Sequence, residues 1–144
     1  MKKVASLFTN YTNDTKFKID ENQIIESFTK FLENKKIFNK VEIGLSFIKE
    51  NEIKKINNKF RKINEITDVL SFPTFKSVRS IVKNDSLVNL GDIIICPQYA
   101  LDQTILKSQN WENLSVSEQD NLFTQEIIFL SVHGLKHLIG IHHK

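Results

Sequence analysis

Apolar and polar residues alternate in several short stretches of the chain, as they do in half-buried β-strands. The clearest stretch is 41–47, where every second residue is apolar and the residues between are Glu, Gly and Ser. Residues 4–9 are predicted as a short strand. The apolar, β-branched run 90–96 is predicted as a buried strand, and the β-prone segment 68–73 ends at a proline. The pattern therefore predicts about four strands.

Apolar residues spaced three or four apart predict helices in the first half of the chain. The first helix begins with a capping box, in which Asp20 is the N-cap and Gln23 lies three residues on. A second amphipathic helix is marked by Ile53, Ile56 and Phe60 and is rich in lysine on its outer face.

Two further helices are predicted in the second half. Pro97 suits the first turn of a helix that would end near Ser108. Ser115 and Glu118 form another candidate capping box, and the helix after it runs to about Ile139. This last helix is apolar around most of its circumference, which is typical of a helix buried in the middle of a domain.

Two polar segments separate the predicted elements. Residues 74–89 are predicted as an irregular loop or flap, and residues 110–117 as a loop that holds Trp111. Because strands and helices alternate, the expected fold class is α/β or α+β, with a mixed sheet of about four strands packed against helices. A length of 144 residues and a hydrophobic fraction of 40% predict one domain spanning residues 1–144.

Composition limits the cellular compartments and the kinds of partner that fit this chain. The chain has one cysteine, Cys96, so no intramolecular disulfide can form, and a reducing compartment fits. The N-terminal apolar run is too short for a signal peptide, and no stretch approaches the ~18–20 apolar residues of a membrane span. We therefore expect a cytoplasmic protein without a membrane partner. The net charge is +3, and the basic excess within residues 1–62 is compatible with a phosphate-bearing partner.

All four histidines of the chain lie within residues 133–143. His133 and His137 are four residues apart, so on a helix they share one face, at a spacing that lets two imidazoles hold one metal ion. Gly140 can end the helix, and His143 would then return to the same ion from another direction. Three imidazole ligands leave a fourth position for water or substrate, which is typical of a catalytic zinc site.

Two alternative roles for these histidines stay open at this point. A His-x-x-x-His pair on a buried helix is often a pair of core histidines, and a terminal His-His pair can also be the remnant of an expression tag. The concentration of every histidine in one segment, with a glycine at the turn, favours a metal site. The residue after the first histidine is Gly134, where zinc proteases carry a glutamate as general base. A peptidase of that type would lack its base here.

Three segments, in this order and at these separations, resemble the YbeY family of bacterial rRNA maturation factors. They are Asn58–Arg61 leading into Thr67–Pro73, then Leu90–Cys96, then the histidine segment from 133 to 143. The resemblance extends from about residue 40 to the end of the chain. Members of the family are described as single-strand-specific, metal-dependent endoribonucleases.

The resemblance implies a role for particular residues. His133, His137 and His143 would hold one Zn2+ ion per chain, and Arg61 would be the functional arginine near the metal. The segment 68–73 would line the cleft, with Asp68 and Ser71 contacting substrate. Two positions depart from the family pattern: His142 stands where the family usually has aspartate, and Lys136 where it usually has leucine.

The function implied by the resemblance is cleavage of single-stranded RNA in rRNA maturation and ribosome quality control. The partners would be rRNA, as a small-subunit precursor, and the ribosome or ribosome-assembly proteins. One alternative is a non-catalytic ribosome-assembly or RNA-binding module whose metal is structural, and another is a metal-dependent hydrolase of a different substrate. Phe72 and Trp111 are candidates for stacking on RNA bases, although aromatic residues more often belong to a core.

Overall fold

The computed structural model of the protein describes residues 4–84 and 86–141. Four strands in this part of the chain form one mixed sheet in the order β1-β2-β4-β3. Strands β1, β2 and β4 are parallel, whereas β3 pairs antiparallel with β4 and forms an edge of the sheet. The predicted four-stranded mixed sheet is therefore confirmed. The strands are β1 (Ser6–Asn13), β2 (Lys40–Phe47), β3 (Val69–Pro73) and β4 (Val88–Ile95).

Five α-helices accompany the sheet in the described ranges, with a short 3-10 turn before the last one. The two predicted capping boxes are present: Asp20 accepts a hydrogen bond from the Gln23 backbone, and Ser115 and Glu118 cap each other reciprocally. The helices are α1 (Glu21–Asn34), α2 (Glu50–Arg61), α3 (Val78–Val82), α4 (Pro97–Lys107) and α5 (Val116–Leu138).

The two faces of the sheet bury apolar clusters of different size. On the larger face, β2 and β4 pack against α1 and α5, and Phe28, Phe47 and Leu135 are completely buried there. On the other face, α2 covers a smaller cluster that contains Ile53 and Cys96. Because the sheet separates these layers, the edge strand β3 has α5 on one side and the end of α2 on the other.

A β-bulge in β4 switches which residues face the larger core. Glu42 pairs with Asn89 and Ile43 pairs with Gly91, so Leu90 is an extra residue in the ladder. Gly91 has φ = 121°, a conformation that favours glycine. A Cβ at this position would also collide with the carbonyl oxygen of Phe72 on β3. Glycine therefore allows β3 to approach the bulge.

Several features differ from the sequence-based predictions. Residues 110–117 are not a continuous loop, because they hold a 3-10 turn at Trp111–Asn113 and the start of α5 at Val116. Residues 74–89 are not wholly irregular, because Ser77 caps the short helix α3 and β4 already begins at Val88. Strand β1 continues past residue 9 to Asn13. Phe60, which the helical pattern groups with the core-facing residues of α2, is 59% exposed. Among the described residues, no helix is long and apolar enough to span a membrane.

Candidate active site at the edge of the sheet

A cleft of about 600 Å³ opens along the edge strand β3. Its walls come from the end of α2, from β3 with the residues before it, and from one face of α5. The predicted metal-binding, catalytic and substrate-contacting residues that the structure describes, His133, His137, Arg61, Asp68 and Ser71, all lie in this lining. The lining residues are Phe60, Arg61, Thr67, Asp68, Val69, Leu70, Ser71, Phe72, His133, Gly134 and His137.

The two histidines on α5 line one wall of the cleft. The ring centroids of His133 and His137 are 4.5 Å apart and the ring planes are inclined at 54°. Both residues are partly buried. The helical spacing predicts this shared face, and the structure confirms it. Two imidazoles at this separation are within reach of a single ion.

Gly134 brings this part of α5 unusually close to the sheet. A Cβ added at Gly134 would lie 2.7 Å from Cγ2 of Ile93, well inside the ~3.5–4.0 Å at which carbon atoms normally pack. Ile93 lies in the middle of β4 and is completely buried. Because Gly134 has no side chain, the turn of α5 that carries His133 and His137 packs directly on the sheet.

Ser71 connects the edge strand to the histidine pair. It pairs with Ile93 across the β3–β4 ladder, so its side chain lies on the same sheet face as α5. Ser71 Oγ is 3.4 Å from Nδ1 of His137, a long hydrogen bond. When Nδ1–H donates to Ser71, the lone pair of the ring is on Nε2, the nitrogen that can then bind a metal.

Phe129 contacts the other member of the pair. Its ring is nearly parallel to that of His133, with centroids 6.0 Å apart and an interplanar angle of 19°. Phe129 lies one helical turn before His133 and is 61% exposed. This contact was not predicted from the sequence, although the interval of four residues between the two positions is a signal that could have revealed it.

Arg61 is the last residue of α2 and lines the same cleft. The following residue, Lys62, caps the helix in the left-handed conformation with φ = 61°. The buried Asn57 then fixes the connection to β3, because its Nδ2 donates to the carbonyl oxygen of Glu65 over 3.0 Å. Arg61 itself is exposed, so its guanidinium group is accessible to a ligand.

Two carboxylates, Asp92 and Glu126, and the stacking candidate Trp111 lie outside this lining. The carboxylate of Asp92 lies against Gly44 on β2. Glu126, on the same helical stripe as the histidines, is 4.0 Å from the ammonium group of Lys107. Trp111 begins the short 3-10 turn and lines a different pocket.

The described part of the site agrees with a metal centre in its donor chemistry. His133 and His137 supply two imidazoles on one face, and Ser71 is placed to orient one of them. Within residues 4–84 and 86–141, no three His, Cys, Asp or Glu side chains come together. The predicted third ligand, His143, and its neighbour His142 lie outside the described residues, so that ligand assignment stays a prediction.

The family model and the similar proteins found by comparison carry the same family description. The family model described as "Endoribonuclease YbeY" matches residues 8–144. A protein of that name from Macrococcus caseolyticus is 37% identical over 111 residues, which are 77% of this chain and 64% of that protein. Another, from Phytoplasma australiense, is 37% identical over 133 residues, which are 91% of this chain and 78% of that protein. The chain thus spans less than two thirds of the first relative and more than two thirds of the second.

The fold also agrees with a solved structure. The solution structure of a Thermotoga maritima protein is similar to this chain with a TM-score of 0.53 and 24% identity. The similarity covers 95% of this chain and 75% of that protein. At this identity the likeness supports the fold alone.

Proposed function

Since the chain belongs to the YbeY family of endoribonucleases, we propose that it is a metal-dependent endoribonuclease acting on single-stranded RNA. Its substrate would be rRNA, as a small-subunit precursor, during ribosome maturation and quality control in the cytoplasm. The observation that carries the proposal is the cleft at β3, which gathers His133, His137 and Arg61. A metal site and a phosphate-binding side chain on one surface are what phosphodiester cleavage requires.

The metal would be held by His133 and His137, with His143 as the third ligand that the family resemblance implies. When bound, a zinc ion would supply Lewis acidity toward a phosphoryl oxygen and toward water. Ser71 would keep the His137 ring in a fixed orientation through Nδ1. Gly134 excludes a base at the position where zinc peptidases use glutamate, and this favours a phosphodiester over a peptide as substrate.

Arg61 would bind the phosphodiester. Its guanidinium group offers a planar fork of N–H donors that matches two phosphate oxygens. Exposed and part of the cleft lining, it would hold the scissile phosphate near the two histidines and stabilise the negative charge that develops there. Asp68 supplies a carboxylate to the lining and would accept a hydrogen bond from a ribose hydroxyl.

The test is metal content and RNA cleavage measured on one purified sample. We expect about one zinc ion per chain and cleavage of a single-stranded RNA but not of the same sequence in a duplex. A chelator should abolish cleavage and added zinc should restore it. His133→Ala should lose activity, whereas Asp92→Ala, outside the cleft lining, should keep it. Zinc-loaded protein that cleaves no RNA would contradict the proposal.

A second candidate is a non-catalytic ribosome-assembly module whose metal is structural. The observation that favours it is His142, which replaces the aspartate usual in the family beside the last histidine. A lost carboxylate partner weakens metal retention or alters ligand orientation. A His133→Ala protein that folds and still restores rRNA processing in a deletion strain would favour this candidate. Cleavage of a non-RNA ester by the zinc-loaded protein would instead favour a hydrolase of another substrate.

A further inference from the structure

Phe60 is an exposed aromatic residue on the wall of the cleft. It belongs to α2, whose inward face is otherwise well buried: Ile53 is 0% exposed and Asn57 is 2% exposed, whereas Phe60 is 59% exposed. Single aromatic residues scattered over a surface are ordinary in soluble proteins. This one, however, lines the same cleft as Arg61 and the histidine pair. Its position therefore bears on what the cleft binds.

Packing against β3 holds the Phe60 ring in place. The ring meets Phe72 in a T-shaped contact, with centroids 5.2 Å apart and an interplanar angle of 68°. Phe72 is itself partly buried and packs against the small cluster beneath α2. With the Phe72 contact and the Lys59 ammonium group over the ring, Phe60 is still 59% exposed. An exposed ring that packs against a neighbouring aromatic side chain is partly preorganised to receive a planar group.

Positive charges flank the ring on both sides in sequence. The ammonium group of Lys59 lies 5.3 Å from the Phe60 ring centroid, and Arg61 follows it in the cleft lining. Proteins that hold single-stranded nucleic acids combine cations that follow the phosphates with aromatic rings on which the bases stack. An apolar peptide would offer these cations no counter-charge, so they favour a polyanionic occupant.

We propose that Phe60 is a stacking platform for one unpaired base, next to the phosphodiester that Arg61 holds. This inference rests on the proposed function, which it deepens by assigning a residue that selects single strands. A base within a duplex is already stacked on both faces and cannot offer one to Phe60. Because every base has an aromatic face, the platform selects unpaired nucleotides and discriminates little among the four bases.

The other aromatic candidates are less suited to this role. Phe72 supports Phe60 and is partly covered by the α2 cluster, and Trp111 lies outside the cleft lining. Phe129 is exposed, but its ring is stacked on His133 and it is not part of the lining. Of these four residues, Phe60 is the one that combines exposure, a fixed orientation and adjacency to Arg61.

The first experiment compares cleavage by Phe60→Leu, Phe60→Trp and wild-type protein. Phe8→Leu is the matched control, because Phe8 is 61% exposed and lies on β1, away from the cleft lining. Substrates are a single-stranded RNA and a set in which one abasic ribonucleotide is moved along the sequence. Loss of stacking in Phe60→Leu should raise KM by about tenfold. Phe60→Trp and Phe8→Leu should stay within about twofold of wild type.

The abasic series identifies the stacked nucleotide directly. With wild-type protein, an abasic nucleotide at one position should raise KM about as much as Phe60→Leu does. In the Phe60→Leu variant, an abasic nucleotide at that same position should leave KM unchanged. Unchanged KM in Phe60→Leu would overturn the platform. So would a lower kcat with an unchanged response to the abasic series, because that pattern indicates a structural effect.

A binding measurement separates this inference from the proposed function. A protein carrying Phe60→Trp and Trp111→Phe has its one tryptophan at position 60. The fluorescence of this tryptophan should be quenched on mixing with single-stranded RNA and not with the duplex. If the wild-type protein cleaves no RNA, the proposed function fails, and this measurement still decides the role of Phe60. Absence of quenching by single-stranded RNA, or equal quenching by the duplex, would overturn the platform.

Discussion

Replacing Gly134 by alanine is the sharpest test of how the histidine helix is seated on the sheet. In an ordinary helix position the change would stabilise the protein by about 1 kcal/mol, because glycine is a poor helix former. Here the new Cβ would meet Cγ2 of Ile93 at 2.7 Å and Cγ1 at 3.2 Å. Ile93 is β-branched, so it cannot rotate both atoms away from the helix.

The structure therefore predicts a net destabilisation. Overpacking of a well-packed core typically costs about 1–3 kcal/mol, which offsets the ~1 kcal/mol gained in helix propensity. We expect Gly134→Ala to lower the free energy of unfolding by about 1 kcal/mol. The helix must also move away from β4 by a few tenths of an ångström. Because this shifts His137 relative to Ser71, RNA cleavage should fall several-fold.

A double-mutant cycle with Ile93→Ala isolates the contact. Ile93→Ala alone should cost about 2–5 kcal/mol, as large-to-small core changes do. It also removes all three Ile93 atoms near the new Cβ. In that background Gly134→Ala should reverse sign and stabilise by about 1 kcal/mol. Urea unfolding of the four proteins gives the coupling energy. If Gly134→Ala is stabilising and fully active in the wild-type background, the close seating of α5 is refuted.

Three further predictions address the site and the core. Arg61→Ala should leave metal content and stability nearly unchanged, since an exposed arginine contributes little to folding, but it should remove most RNA cleavage. Arg79→Ala on α3, outside the cleft lining, is the control. Equal RNA cleavage by the two variants would exclude the phosphate-binding role of Arg61. After dialysis against a mild chelator, His143→Ala should lose zinc whereas His142→Ala keeps it; the opposite result would shift the ligand assignment by one residue. Burial raises the pKa of the Cys96 thiol, so its stabilising contribution is fully present below the ordinary thiol pKa and is lost as the pH rises through the raised value. Urea unfolding above neutral pH should therefore show a steeper loss of stability in wild type than in Cys96→Ala, and parallel curves would contradict this.

Much of the architecture could be predicted because local signals and tertiary packing agree in this chain. The capping boxes at Asp20 and Ser115 set two helix starts, and the alternation in residues 41–47 set a strand. The short helix α3 was missed, since its five residues bury mainly Ile81 and lie in a polar stretch without helical periodicity. Such a helix depends on its cap and its tertiary contacts rather than on propensity.

The site could be predicted in its parts more readily than in its assembly. Helical spacing alone placed His133 and His137 on one face, and the structure shows the rings 4.5 Å apart. The bulge at Gly91 and the 3.4 Å contact between Ser71 and His137 are tertiary features. No local pattern encodes which residue of an edge strand faces a distant helix. The predicted burial of Phe60 was wrong: the residue lies in the last turn of α2, contacts Phe72 on β3 and is still 59% exposed.

The central claim is that His133 and His137 hold a metal on which RNA cleavage depends. The most direct measurement is the zinc content and the single-strand RNA cleavage of wild type, His133→Ala and His137→Ala, determined on the same samples after chelation and after readdition of zinc. We predict about one zinc ion per wild-type chain, cleavage that disappears and returns with the metal, and loss of both properties in each variant that still folds. Folded variants that cleave RNA without retaining zinc would contradict the claim.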